Sequence, residues 1–289
     1  MNCCRTQRIL AVKKAVSIPV IAVNMVKEPW FAEKMLEEEM VDFVGLGRAV
    51  VADPEWPLKA AQEREDEINR CISCTFCFET LVSDTIAGKG PVKCAVNPRA
   101  GRECKYPAHE KDGAGRTVVV VGAGVGGLEA ARVLGERGFH VVVLEKEGRA
   151  GGQINIADRP PHKEKMDWIV EYELSQLKKY DVQILINTEA DAGRIASYAP
   201  YAIVLATGGT PIKPSSIPGS DLEEAVTFKE VLCDEKVLEG RKVTVIGSGA
   251  TGLETAEFLC ARGNEVTIVE MLDSIGQGVY VQHYLDAMD

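Results

Sequence analysis

The stretch TVVVVGAGVGGLEAARVLGERGFHVVVLEK, residues 117–146, decides how the rest of the chain is read. Val118 to Val121 form an apolar run of the kind that a buried parallel strand shows. It leads without a break into Gly122-Ala123-Gly124-Val125-Gly126-Gly127. LEAARVLGERG follows as a helix closed by Gly138, and VVVLE reads as a second strand ending at Glu145. Each glycine answers a separate need. Gly122 permits the tight turn, Gly124 lets backbone approach a pyrophosphate, and Gly127 lets helix and strand pack closely. The helix N-terminus then turns its positive dipole end toward the phosphates, over a loop that includes Ala123. Glu145, about 20 residues on, is placed to accept hydrogen bonds from ribose hydroxyls. A glycine-rich turn in an ordinary α/β fold is the plainer reading. Strand, helix, second strand and acid falling in one register favour a nucleotide site.

The same pattern returns at an offset of 125 residues, where KVTVIGSGATGLETAEFLCARGNEVTIVEM spans 242–271. Its glycines are Gly247, Gly249 and Gly252, and its acid is Glu270. A period this long marks two copies of a domain-sized unit rather than a solenoid. A carboxylate at Glu270 repels a 2′-phosphate, so NAD is expected over NADP at this copy. The competing reading is a degenerate copy kept for packing. Between the copies, Ala150-Gly151-Gly152-Gln153 offers small residues where backbone approaches a flavin, and IVLATGGTP (203–211) is a strand entering a Thr-Gly-Gly turn.

Nine cysteines are present, and four of them fall in one short stretch: Cys71, Cys74, Cys77 and then Cys94. A disulfide scaffold spreads an even count through a small secreted chain. A tight group in an acidic chain points to a metal site or redox chemistry. Three cysteines spaced two apart wrap one face of a cluster, and a fourth from a loop completes the tetrathiolate of a [4Fe–4S] centre. Structural zinc more often uses two separated CxxC pairs. Iron–sulfur is favoured, with zinc and unliganded thiols as alternatives, and Cys104 competes with Cys94 for the fourth position. Cys260 lies on a helical pattern and is expected in the core. The four histidines match no metal spacing.

Ahead of the cysteines, IPVIAV and DFVGLG read as buried parallel strands around the helical PWFAEKMLEEEM, in which Phe31, Met35 and Leu36 recur at helical spacing. Gly47 and Arg48 follow the second strand, a pairing that suits a phosphate or an ordinary solvated turn. The net charge of −10 argues against nucleic acid and anionic membranes as partners. There is no apolar run of membrane length and no signal-peptide core, so a cytoplasmic location is expected.

Taken in order, these pieces resemble the NADH:flavin oxidoreductases of the 2,4-dienoyl-CoA reductase and trimethylamine dehydrogenase type, over nearly the whole chain. IPVIAV with DFVGLGRAVVADPEWPLKA is similar to the last two strands of that family's FMN-binding barrel. CISCTFC with CAVNP resembles its cluster segment, and the two glycine loops its nucleotide folds. The implied fold class is α/β: the end of a TIM barrel (1–70), an iron–sulfur segment and linker (71–115), and two Rossmann-like units (116–240 and an incomplete 241–289). The resemblance implies FMN phosphate at Gly47 and Arg48, and a [4Fe–4S] cluster on Cys71, Cys74, Cys77 and Cys94. It implies FAD at Gly122, Ala123, Gly124, Gly127, Glu145, Gly152 and Gln153, with Ala190 near its adenine. NADH falls to Gly247, Gly249, Gly252 and Glu270. Electrons in that family run from NADH through FAD and the cluster to FMN, which reduces an activated C=C bond of an enoyl-CoA-like small molecule. A demethylating amine dehydrogenase of the same build and a non-catalytic ADP-binding scaffold are the rival readings. Self-association is the one macromolecular partnership left open.

Two departures stand out. Asn24 replaces a glycine usual near the FMN phosphate, and the Cys77–Cys94 spacing is longer than expected. A barrel needs eight strands, and two are legible here. The second nucleotide fold ends at HYLDAMD soon after its second strand. An interior fragment of a larger enzyme is therefore expected.

Overall fold

Thirteen residues free of proline and glycine open the described chain as helix α1 (Cys3–Ala15). The computed structural model describes residues 3–23, 26–106 and 110–280. Asn24, His109, His283 and the HYLDAMD tail lie outside the described residues. The chain divides into two units, residues 1–108 and 109–289.

In the first unit, strands β1 (Ile21–Ala22) and β2 (Phe43–Val44) pair in parallel, Ile21 opposite Phe43 and Ala22 opposite Val44. Helix α2 (Pro29–Glu37) connects them, with proline in its first turn, where the missing N–H costs nothing. Met35 carries its burial, packed with Ala22, Val26 and Val41, while Leu36 is exposed. The two strands are shorter and less buried than their composition suggests: Ile18, Ile21, Val23 and Phe43 are all exposed. Side chains alternate across a strand, and the helix covers only the face that holds Ala22.

Two short helices follow, α3 (Arg48–Ala52) and α4 (Trp56–Ala61), closing a second small core of Ala49, Trp56 and Ile68. Asp53 organises this corner. Its buried carboxylate accepts from Lys59 Nζ at 2.7 Å, the Asn69 amide at 2.9 Å and the Glu55 amide at 3.0 Å. Helix α5 (Phe76–Thr80) runs into a π turn at Leu81–Thr85. Hydrogen bonds from Lys93 N to Thr80 Oγ1 (2.9 Å), Asn69 Nδ2 to the Val96 carbonyl (2.5 Å) and Asn97 Nδ2 to the Val51 carbonyl (2.9 Å) draw the Cys94 loop alongside.

The second unit begins with β3 (Thr117–Val121), α6 (Val125–Glu136) and β4 (His140–Leu144). It continues through α7 (Ile154–Ala157), α8 (Asp167–Lys179), β5 (Gln183–Leu185), α9 (Ala192–Ser197), β6 (Ala202–Leu205) and α10 (Phe228–Leu232). The four strands form one parallel sheet in the order β5-β4-β3-β6. At β3 and β4 both faces are covered, which is why the valine run tolerates no polar residue, whereas Ile203 and Leu205 of β6 are exposed. Val118 and Val120 pack with Leu128, Ala131, Val170 and Leu177 on one side. Val119 packs toward Leu185, Ile195 and Tyr198 on the other.

The repeat closes the chain as β7 (Lys242–Ile246), α11 (Ala250–Ala261) and β8 (Glu265–Val269). Every boundary reproduces that of β3, α6 and β4 at the same offset of 125 residues. Here, among the described residues, the two parallel strands are covered on one face only, so Val243, Val245 and Val266 pack with Phe258 and Leu259, whereas Ile246 and Val269 are exposed. Cys260 is exposed as well, contrary to the core position expected from the helical pattern. The buried stripe of α11 runs through Leu253, Ala256, Phe258 and Leu259, and Cys260 falls one position past it.

Candidate functional site

The first glycine loop is the floor of a cleft of about 1210 Å³. Gly122 has φ +100°, a conformation L-residues rarely adopt. A Cβ on Gly127 would collide with the Gly122 carbonyl oxygen, which is the close helix–strand packing expected of that position. Gly124 caps α6 in extended conformation with no side-chain cap, so the helix's first amides are left to an external acceptor. Gly152 comes against it: a Cβ there would stand 2.9 Å from Gly124 Cα. Gly151 forms a parallel bridge to Gly124 and donates its amide to the Ala123 carbonyl at 2.8 Å.

Six of the residues chosen from the sequence line this one cleft: Gly122, Gly124, Glu145, Gly152, Gln153 and Ala190. Ala123 and Gly127 are buried behind it. Glu145 is itself buried, and its carboxylate accepts the amides of Ala123 (2.7 Å) and Glu147 (2.9 Å), which fixes the acid to both loops it joins. Gln153 donates to the Gly209 carbonyl at 3.0 Å, tying the Ala-Gly-Gly-Gln turn to the Thr-Gly-Gly turn that forms the opposite wall. Lys146, Arg149 and Lys229 supply positive charge on the rim. Arg149 was readable in the sequence, since it stands directly before the Ala-Gly-Gly turn; Lys229 had no local signal.

The second loop repeats the geometry. Gly247 has φ +99°, Gly249 caps α11, and a Cβ on Gly252 would collide with the Gly247 carbonyl oxygen. Glu270 accepts from Ser248 Oγ (2.7 Å), the Ser248 amide (2.9 Å) and the Leu272 amide (3.0 Å). The Ser248 hydroxyl, then these amides, hold its carboxyl down at about 2.

In the first unit, Gly47 and Arg48 line a smaller pocket of about 390 Å³ with Val23, Lys27, Gly45 and Cys71. Sequence reasoning missed Lys27, a buried lysine that becomes part of the site only through folding. Cys71, Cys74, Cys77 and Cys94 are all half-buried, and Cys104 is exposed. Burial pushes the Cys74 thiol up, the Phe76 amide opposes it, and Cys71 and Cys77 add to the rise. Burial also pushes Cys94 up, against the amides of Val96 and Asn97 and together with Cys74 and Cys71. The loop holding the first three sits in left-handed conformation at Ser73 (φ +62°) and Thr75 (φ +56°). Such backbone persists only where surrounding structure enforces it, and it clusters at functional sites. Among the described residues, no three His, Cys, Asp or Glu side chains converge to hold a single metal ion. A cubane asks for something else: each thiolate binds its own iron, so its four sulfurs need not meet at one point. Four thiols grouped around amide donors fit such a group.

Comparison with known proteins gives two family matches: pyridine nucleotide-disulphide oxidoreductase over residues 116–284, and the NADH:flavin oxidoreductase / NADH oxidase family over residues 2–67. The NADH oxidase of Thermoanaerobacter brockii is 40% identical over 91% of this chain and 40% of its own length. The bilirubin reductase of Mediterraneibacter gnavus is 36% identical over 92% of this chain and 40% of its own. Among solved structures, a 2-naphthoyl-CoA reductase in complex with 2-naphthoyl-CoA superposes with a TM-score of 0.91 at 29% identity, covering 99% of this chain and 43% of that one. The chain thus spans about two fifths of the length of the relatives it matches. No helix among the described residues is long and apolar enough to cross a membrane.

Proposed function

This chain belongs to the pyridine nucleotide-disulphide oxidoreductase family, and from that premise we propose that it is the electron-input part of an NADH-dependent flavin oxidoreductase. The observation that carries the reading is the cleft in which Gly122, Gly124, Glu145, Gly152, Gln153 and Ala190 meet. Its volume exceeds the roughly 300–1,000 Å³ of ordinary small-molecule pockets, as an extended dinucleotide requires. Gly124 and Gly152 leave backbone against backbone where a pyrophosphate and a flavin edge would lie. The open first turn of α6 would hold the phosphates, Glu145 the adenosine ribose, and the wall around Ala190 the adenine.

The second loop would bind NADH, with Glu270 toward its ribose. The 71–115 segment would hold a [4Fe–4S] cluster on Cys71, Cys74, Cys77 and Cys94, and Gly47 with Arg48 and Lys27 would take the FMN phosphate. Bound there, FAD would supply the change from two-electron to one-electron transfer, and the cluster the bridge to FMN. The chain's own contribution is positional: the glycine loops fix the phosphates, the two acids fix the riboses, and the thiols share Cys71 between the cysteine group and the Arg48 pocket. The domain division follows as 1–70, 71–115, 116–240 and 241–289. For the whole protein we infer reduction of an activated C=C bond in an acyl-CoA-like substrate, supported by the likeness to the 2-naphthoyl-CoA reductase over nearly all of this chain.

An absorption spectrum of the anaerobically purified chain before and after NADH, with flavin, iron and adenine nucleotide quantified, tests this. Flavin bands that bleach over a broad iron–sulfur absorbance are expected. A colourless protein that releases ADP on denaturation would replace the reading with a nucleotide-holding scaffold.

A further inference from the structure

The two glycine loops, Gly122–Gly127 and Gly247–Gly252, differ at three positions, and one of these differences adds a buried hydroxyl. Ala123 in the first copy corresponds to Ser248 in the second, and Gly151 corresponds to Gly276 at the same offset. Both pairs are joined by a hydrogen bond, but not by the same atoms. Gly151 donates its amide to the main-chain carbonyl of Ala123 at 2.8 Å. Gly276 donates its amide to the side-chain hydroxyl of Ser248 at 3.0 Å. That hydroxyl in turn donates to Glu270 at 2.7 Å. A serine has one hydrogen to give and two lone pairs to accept with, so the chain Gly276–Ser248–Glu270 uses it in both directions. Ser248 is almost fully buried, at 1% exposure, so water does not compete for these bonds.

We propose that Ser248 is the positioning residue for coenzyme selection at the second loop, holding the Glu270 carboxylate and the 271–276 loop in the arrangement that accepts NADH and rejects NADPH. The proposal rests on reading this loop as the NADH site. A 2′-phosphate is accepted where an arginine neutralises it and refused where a carboxylate faces it. Residues 271–280, MLDSIGQGVY, contain no lysine or arginine and add Asp273. The refusal works only while the acid and its loop stay in place. Gly276 is buried and held by the hydroxyl, and the exposed Met271 to Ile275 stretch is tied at its start by the Leu272 amide to the same Glu270 carboxylate. The spacer also explains a difference between the copies. Where Gly152 stands against Gly124, the second copy has Gln277, and among the described residues no atom would lie within 4 Å of a Cβ at Gly249. The second return loop is tied at the length of a side chain rather than by direct backbone contact.

The test is direct titration of the purified chain with NADH and with NADPH, for the wild type, Ser248→Ala and Gly249→Val. The first copy carries alanine at this position in the same loop geometry, which argues that Ser248→Ala folds. Ser248→Cys, of similar size but a weak donor, repeats the measurement independently. Hydrogen exchange of the Gly276 amide is followed in parallel, with the Gly151 amide as internal reference. Loss of one charge-assisted hydrogen bond predicts NADH binding weaker by about ten-fold in Ser248→Ala. NADPH should be affected less, so that the ratio of the two constants falls. Exchange at Gly276 should quicken while that at Gly151 is unchanged. An unchanged ratio with unchanged Gly276 exchange overturns the role of Ser248 while leaving the site intact, provided Gly249→Val abolishes NADH binding. A wild type that binds neither coenzyme overturns the NADH reading and this proposal with it.

Discussion

Gln153 and Gly209, 56 positions apart, are joined by a 3.0 Å hydrogen bond from the glutamine amide to the glycine carbonyl. That bond fastens two turns that the sequence presents as separate small motifs. It makes them facing walls of one cleft. Gln153→Ala removes the tie and one polar group from the wall. A single neutral hydrogen bond is worth about 1 kcal/mol, so FAD binding measured by fluorescence titration should weaken about five-fold. Unchanged binding would place the flavin elsewhere.

Gly127 and Gly126 are neighbours with opposite demands. A Cβ at Gly127 would collide with the Gly122 carbonyl, which is backbone and cannot swing away; at Gly126 it would meet nothing within 4 Å. Both lie in α6, where alanine is preferred to glycine by about 0.5–1 kcal/mol. Gly126→Ala should therefore raise the apo-chain melting temperature slightly, and Gly127→Ala should lower it sharply. Thermal unfolding of the two variants side by side checks this.

Glu173 lies buried between α6 and α8, with Arg132 3.8 Å away and Glu129 nearby. Burial, and after it repulsion from Glu129, pushes its carboxyl up to about 8. The folded state therefore binds this proton more tightly than the unfolded chain does. Stability is highest below the ordinary carboxylate range near pH 4.3, declines as pH rises through about 8, and levels off above it. Glu173→Gln keeps a neutral donor toward Glu129. It should flatten that part of the melting-temperature profile and exceed the wild type at alkaline pH. A variant curve parallel to the wild type would remove Glu173 as the cause.

Cys94 and Cys104 were both within reach of the fourth cluster position in the sequence. Cys94 is half-buried, and burial first, then its neighbours Cys74 and Cys71, push its thiol up, whereas Cys104 is exposed. Iron and acid-labile sulfide should therefore fall in Cys94→Ser and stay at wild-type level in Cys104→Ser. The reverse pattern would exchange the two ligands.

Much of the second unit was legible in advance because its signals are local. The turn at Gly122, the helix from Val125 and the strand up to Leu144 depend on residues in immediate succession, and they recur with identical boundaries at Gly247, Ala250 and Val269. The first unit was less legible. IPVIAV has the composition of a fully buried strand, yet Ile18, Ile21 and Val23 are exposed, because burial depends on which elements cover each face. Cys260 is exposed for a related reason: periodicity places a residue on a helix, but one position of rotation separates the buried Leu259 from the exposed Cys260.

The sequence by itself determined the parallel α/β class, the two glycine loops with their acids, and the grouping of the cysteines, since backbone sterics and hydrogen-bond needs act over a few residues. Tertiary structure alone decided that Gln153 would face Gly209, that Lys27 would share a pocket with Arg48, and that the Ser248 hydroxyl would stand between Gly276 and Glu270. Those relations join residues tens of positions apart. No local preference specifies them; they form because sheet register and helix packing fix where each side chain ends up.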